Sequence, residues 1–232
     1  MRWTLVCAPV APSRLIVAAE QEKARYVAID PKDADGYAWE WRPAEDKTVG
    51  KWAECFGNPS DVRPLPGGKL LVAASRGGFA CVDMLTGRPD FFGVVRAANP
   101  HSVELLPDGV VGGACSAGNR IVLIAARNCP LDPERQRQEE SATLEQAHAV
   151  VWMPGRDRLY AIGKSQIVEF LYDGTNFRIV ETRRFDFAAA GCGLWGHDMV
   201  RDGDGRLVFT THDAIGRLDL ATGTVSKVED LK

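Results

Sequence analysis

Apolar and polar residues alternate with a period of two along most of the chain, in short runs rich in β-branched residues. That period marks strands whose two faces meet different surroundings. Helical periodicity is missing, which argues against an α-solenoid. One kind of run recurs: RLIVAAE from Arg14, KLLVAAS from Lys69, VVGGACS from Val110, RLYAIG from Arg158 and RLVFTT from Arg206. Turn sequences precede four of these: PGG at Pro66–Gly68, PDG at Pro107–Gly109, PGRD at Pro154–Asp157 and DGDG at Asp202–Gly205. Glycine and aspartate tolerate the positive φ of turns that join antiparallel strands.

Before each turn lies a further strand: DVRPL from Asp61, HSVELL from His101, HAVVWM from His148 and HDMV from His197. A third strand follows each recurring run. Outer strands come last, as in YAWEWRP from Tyr37, FRIVETRRF from Phe177 and TVSKVE from Thr224. The unit is four antiparallel strands, recurring after 41 residues between Lys69 and Val110 and after 48 between Arg158 and Arg206. This length predicts an all-β fold, a β-propeller. With Thr4–Pro9 as the inner strand of the first blade, about five blades result, near 4–43, 61–97, 101–146, 148–186 and 197–229, in one domain over 1–232. A six-bladed or incomplete propeller is the alternative. The charged segment Cys129–Leu144 breaks the repeat and is expected to be a solvated loop, with at most one helical turn, beneath the third blade.

Composition narrows the function classes. The 232 residues are 45% hydrophobic, enough for a sizeable core. A net charge of -3 carries no basic footprint for nucleic acid or an anionic membrane. No run approaches the roughly 18 apolar residues of a membrane-crossing helix. The six cysteines, Cys7, Cys55, Cys81, Cys115, Cys129 and Cys192, show no C-x-x-C spacing, so they are read as reduced thiols rather than a zinc or redox motif. The first twenty residues hold a short apolar run broken by Pro9 and Pro12, which fits the repeat better than a secretion signal. As it stands the sequence reads as a cytoplasmic monomer, and as secreted if a leader has been removed.

Five motifs stand in order: WEWRP at Trp39–Pro43, NPSD at Asn58–Asp61, NPHSVELLPDG at Asn99–Gly109, AHAVVW at Ala147–Trp152 and GHDM at Gly196–Met199. Together they resemble a bacterial family of propeller proteins of unknown function, over roughly Arg14 to Thr224. The resemblance implies a propeller and brings no reaction with it. Members often carry secretion signals and a C-terminal segment adding a blade; this chain shows neither clearly. The histidine strand followed by P-D-G also resembles inner strands of lactonases, streptogramin lyases and arylsulfotransferases, a likeness of fold.

The chain has four histidines, and His101, His148 and His197 open the first strand of three consecutive blades. Ser60 takes the aligned position one blade earlier. Inner strands line the axis of a propeller, so residues 47 and 49 positions apart are expected to meet. Three converging imidazoles suit a divalent metal such as zinc or manganese, with coordination positions left open for catalysis. Asp61, Glu104 and Asp198 are candidate orienting partners. Loops on the same face bring Arg76 and Lys164 as an anion grip, Asn119 as a polar contact, Trp195 as a stacking wall, and His212 as an acid or base, and Asp61 of an inner strand is a further polar contact. Trp39, Trp41 and Trp152 are expected to pack between or within blades.

No phosphate loop, dinucleotide fingerprint or G-x-S-x-G elbow is present, so neither a nucleotide nor an organic cofactor is expected. The leading expectation is a hydrolase or lyase acting on a carbohydrate or lactone-like small molecule, with or without a metal. The alternative is a non-catalytic binding scaffold.

Overall fold

In a computed structural model the recurring runs form antiparallel sheets that follow one another along the chain. The structure describes residues 15–229 except 34–35, 127–129 and 204. The first sheet holds β1 (Ile16–Glu20), β2 (Arg25–Ile29) and β3 (Trp39–Trp41). Its expected inner strand, Thr4–Pro9, lies outside the described residues. The second sheet holds β4 (Pro59–Leu65), β5 (Lys69–Ala74), β6 (Gly78–Asp83) and β7 (Arg88–Val94). The third holds β8 (Pro100–Leu106), β9 (Val110–Cys115), β10 (Arg120–Ala125) and β11 (Gln138–Thr143). The fourth holds β12 (Ala149–Met153), β13 (Arg158–Ile162), β14 (Gln166–Asp173) and β15 (Arg178–Asp186). The fifth holds β16 (Met199–Arg201), β17 (Arg206–Thr210), β18 (Ile215–Asp219) and β19 (Val225–Lys227).

Every strand pairs with its sequence neighbour, so each sheet is a simple meander. The first strands β4, β8, β12 and β16 pack against one another in succession, as the inner strands of adjacent blades do. The turns behave as their residues dictate: Gly67, Gly68, Asp108, Asp157 and Gly203 all take positive φ.

The core lies between sheets. The second strands β5, β9 and β13 are buried over almost their whole length. A Cβ on Gly113 would stand 2.8 Å from the Phe79 ring, so this glycine admits the phenyl of the preceding blade. Burying such a ring contributes about 2–3 kcal/mol. Trp41 is buried, stacked on Tyr26 at 5.7 Å and edge-on to Phe56 at 5.4 Å. Trp152 is likewise core, edge-on to Tyr172. Both behave as the expected packing groups.

The segment Cys129–Leu144 departs from expectation. Pro133–Arg135 forms one 3-10 turn, but Gln138–Thr143 is β11, the outer strand of the third sheet. Its side chains stitch this sheet to β7: Gln136 Nε2 donates to Phe92 O at 2.7 Å and Gln138 Nε2 to Val94 O at 2.8 Å. QEESAT has no apolar alternation; it is the outermost strand of its sheet, and Gln138 bonds it to the neighbouring sheet.

The inner strands are joined by side chains. The axis-facing N–H groups of β8 and β12 meet acceptors from the strand before. Asp61 Oδ2 accepts from Val103 N at 2.9 Å, Ser102 Oγ from Val150 N at 3.2 Å, and Glu104 Oε2 from Trp152 N at 3.2 Å. Arg63 ties these three acceptor side chains together, donating to Asp61 at 3.0 Å, Ser102 at 2.9 Å and Glu104 at 3.4 Å. Burial raises the Glu104 carboxyl above its ordinary range, against the pull of Arg63.

Candidate functional site

One local device is used at the start of each of the four inner strands. Asn58, Asn99, Gln146 and Trp195 all have φ between +49° and +62°, each two residues before Ser60, His101, His148 or His197. Non-glycine residues in this region cost about 1 kcal/mol or more, least for asparagine. The chain kinks there and then enters the strand. In β4 and β8 the next step is a bulge: Pro59 pairs with Ala74 and Asp61 with Ala73, while Pro100 pairs with Cys115 and Ser102 with Ala114. Ser60 and His101 are the extra residues, and a bulge re-aims its side chain. In the next two blades the histidine N–H still closes the ladder, His148 N to Ile162 O and His197 N to Thr210 O, both at 2.9 Å.

The four histidines come together in one column. The rings of His101 and His148 stack at 4.5 Å, those of His148 and His197 meet edge-on at 5.1 Å, and those of His197 and His212 stack at 4.7 Å. Trp195 continues the row, stacked on His212 at 6.0 Å, with Lys164 Nζ 5.3 Å from its ring centroid. His212 comes from the loop between β17 and β18, held against the Trp195 segment by Thr211 Oγ1 donating to Cys192 O at 2.6 Å. His101 and His148 are half-buried, while His197, His212 and Trp195 are exposed, so the column runs from protein to solvent.

The hydrogen bonds assign the protons. His148 Nδ1 lies 2.9 Å from Gln146 O, and a carbonyl only accepts. Nδ1 therefore carries the proton, and in the neutral ring the lone pair is on Nε2. Asn119 Oδ1 accepts from Gln146 N at 2.8 Å and so fixes the residue that orients His148. His101 Nε2 is 3.2 Å from Asn99 Nδ2, which also donates to Ser116 Oγ at 3.0 Å. Burial, then the neighbouring His148 and His197, push the His101 imidazole down to about 4. Burial and the rings on either side lower His197 as well.

These shifts make a stability prediction. Between pH about 6.5 and about 4 the unfolded chain binds a proton at residue 101 that the fold resists. The melting temperature should fall as pH drops through that window and level off below it. His101→Gln should flatten the dependence in part, leaving the share of His197. Thermal unfolding at closely spaced pH values measures this.

Other expected residues find different roles. Asp61 and Glu104 serve Arg63 and the strand edges, and Asp198 Oδ1 accepts from Met199 N. None of the three is bonded to a histidine, which corrects their assignment as orienting partners. Lys164 is paired with Glu145 at 2.7 Å rather than open to an anion. Arg76 is exposed, with no carboxylate within ion-pair distance among the described residues. Among the described residues no group of three His, Cys, Asp or Glu side chains could hold a metal ion. Cys55, Cys81 and Cys192 are thiols.

Sequence reasoning passed over Asn99 and Gln146, the residues that orient His101 and His148. Asn99 was visible in the N-P-H motif, since asparagine before proline favours such a kink. Gln146 and Trp195 carry no comparable signal.

Among curated proteins none matches the sequence. In fold the chain is similar to virginiamycin B lyase from Staphylococcus aureus, with a TM-score of 0.67 and 12% identity over 97% of this chain and 69% of that one. A putative 6-phosphogluconolactonase from Bacteroides uniformis gives 0.59 and 16%, over 91% of this chain and 66% of that one. A catalytically inactive histidine-to-alanine variant of the same lyase, with quinupristin, gives 0.57 and 16%, over 75% and 56%. At these identities the likeness is one of fold. A family profile described as a family of unknown function (DUF6528) matches residues 8–232.

Proposed function

The chain belongs to the DUF6528 family, and on that premise we propose that its histidine column is an acid–base site for a small polar molecule. The observation that carries this reading is His148, with its proton held on Nδ1 by Gln146 O and a lone pair left on Nε2. In its neutral form such an imidazole can serve as a general base through Nε2. His197 and His212 continue the row from His148 to solvent. The reaction class is elimination or hydrolysis. In elimination, Nε2 takes a proton from carbon beside a carbonyl, the C–H electrons form a double bond, and the C–O bond breaks with its pair on oxygen. In hydrolysis the same nitrogen takes a proton from water as its oxygen adds to the carbonyl, whose π pair moves onto oxygen; that pair then re-forms the carbonyl as the ester C–O bond breaks with its electrons on the leaving oxygen, which takes the proton back from Nε2. A lactone or carbohydrate ester fits both, and two fold neighbours are named for a lyase and a lactonase.

A second reading, a non-catalytic binding surface, is favoured by Leu194 and Trp195. Both are exposed, at 41% and 38%, at the outer end of the column. The test is turnover of a panel of lactones and uronate oligosaccharides by the parent and by His148→Ala, with metal analysis of protein purified without a histidine tag. His148-dependent turnover supports the acid–base reading. Binding without turnover across the panel supports the second. Near-stoichiometric zinc or manganese, lost in His101→Ala/His148→Ala, would replace the metal-free chemistry with metal-assisted hydrolysis.

A further inference from the structure

Beside His101 lies a groove of about 500 Å³ whose lining includes Arg76, Arg96, Ser75 and Asn99. Backbone contacts hold its two arginines on adjoining loops. Gly77 N and Gly77 O bond to Ala74 O and Val95 N at 2.9 Å each, placing Arg76 and Arg96 on either side of one strand crossing. Gly77 has φ +110°, and a Cβ there would sit 2.4 Å from Val95 O, so no other residue permits this approach. Arg76 lies flat across Gly57, where a Cβ would meet its Cδ at 2.7 Å. The Arg96 guanidinium is 5.3 Å over the Trp52 ring.

Neither guanidinium has a carboxylate within ion-pair distance among the described residues. Glu54 lines the same groove, and burial and that carboxylate push the Cys55 thiol up, so it stays neutral. Two positive charges thus face one negative. Asn99, in contact with His101 Nε2, forms the wall toward the column.

The geometry points to a substrate that carries an oxyanion, a carboxylate or a phosphate, gripped by Arg76 and Arg96 while its reacting part reaches the histidines. This deepens the acid–base reading and rests on it for the reaction, though not for the binding. Paired arginines recognise such groups by charge-assisted hydrogen bonds, and the grip should weaken with salt.

The full chain is titrated with galacturonate and with glucose 6-phosphate, against galactose and glucose as uncharged controls. Binding is followed by the imidazole NMR signals of His101. At least one charged sugar should saturate, at least about tenfold more tightly than its uncharged control, and the one that does identifies carboxylate or phosphate. Arg76→Ala/Arg96→Ala should lose at least about tenfold in affinity, and the single variants Arg76→Gln and Arg96→Gln each part of it. The single variants serve if the double variant fails to fold by circular dichroism. Binding by neither charged sugar, equal binding of charged and uncharged sugars, or arginine variants that bind as the parent does would overturn the inference. Turnover of uncharged lactones without oxyanion binding would sink the groove and leave the column. Oxyanion binding without turnover of any substrate would do the reverse.

Discussion

Arg63→Met should destabilise the fold by about 3–5 kcal/mol, the usual cost of removing one partner from a buried ion pair. The Arg63 side chain is 19% exposed, its partners Asp61 and Glu104 19% and 9%. Methionine fills a similar volume but leaves two carboxylates facing each other with no cation between them. Burial already raises the Glu104 carboxyl, with Arg63 opposing the shift. Without Arg63 it should rise further. Its ionised form is then the penalised one, so the deficit should be largest at neutral pH and shrink as acid protonates Glu104. Urea midpoints of parent and variant at neutral and acidic pH, at unchanged slope, measure both statements. Arg63→Met combined with Glu104→Gln should recover part of the loss. A deficit below about 1 kcal/mol at neutral pH would mean the cluster is solvated and not a buried tie.

His148→Ala should lower kcat by about 10²–10⁴, the range for removal of a general acid–base group, with little change in KM. The loss belongs to His148 because its lone pair is free while that of His101 faces Asn99. His101→Ala should therefore cost less. Asn119→Ala should cost less again and shift the pH profile, because it acts only through Gln146 N. Equal losses in all three would point to a disrupted column in place of a specific base. Steady-state rates on the substrate found in the panel, across pH, distinguish these outcomes.

The blade repeat was legible because its signals are local. Alternation and turn residues such as Gly67, Gly68 and Asp108 act within a few residues of where they stand. The meeting of His101, His148 and His197 was legible too, since the repeat converts a position in one blade into a position in the next. The chemistry of the column was less so. A repeat brings residues close without setting ring planes, and stacking or convergence depends on partners such as Gln146 O and Asn99 that lie in irregular backbone. Asp61 and Glu104 were misread for a related reason. In a chain with histidines on the inner strands they look like second-sphere carboxylates, but the N–H groups of Val103 and Trp152 on the neighbouring strands take them as acceptors. β11 was missed because an outer strand bonded through Gln136 and Gln138 needs no apolar face.

The bonds from Asp61, Ser102 and Glu104 to the neighbouring strand have a consequence for solubility. An inner strand of a blade is an edge strand, and an open edge is a template for another chain. Here the template is blocked on β8 and β12 by side chains that occupy its donors one by one. Loss of Ser102 and Glu104 would therefore expose more than an unsatisfied backbone. It would offer β12, whose AVVWM sequence is apolar throughout, as a site for strand addition, and the protein would be expected to fail by aggregation before it fails by unfolding.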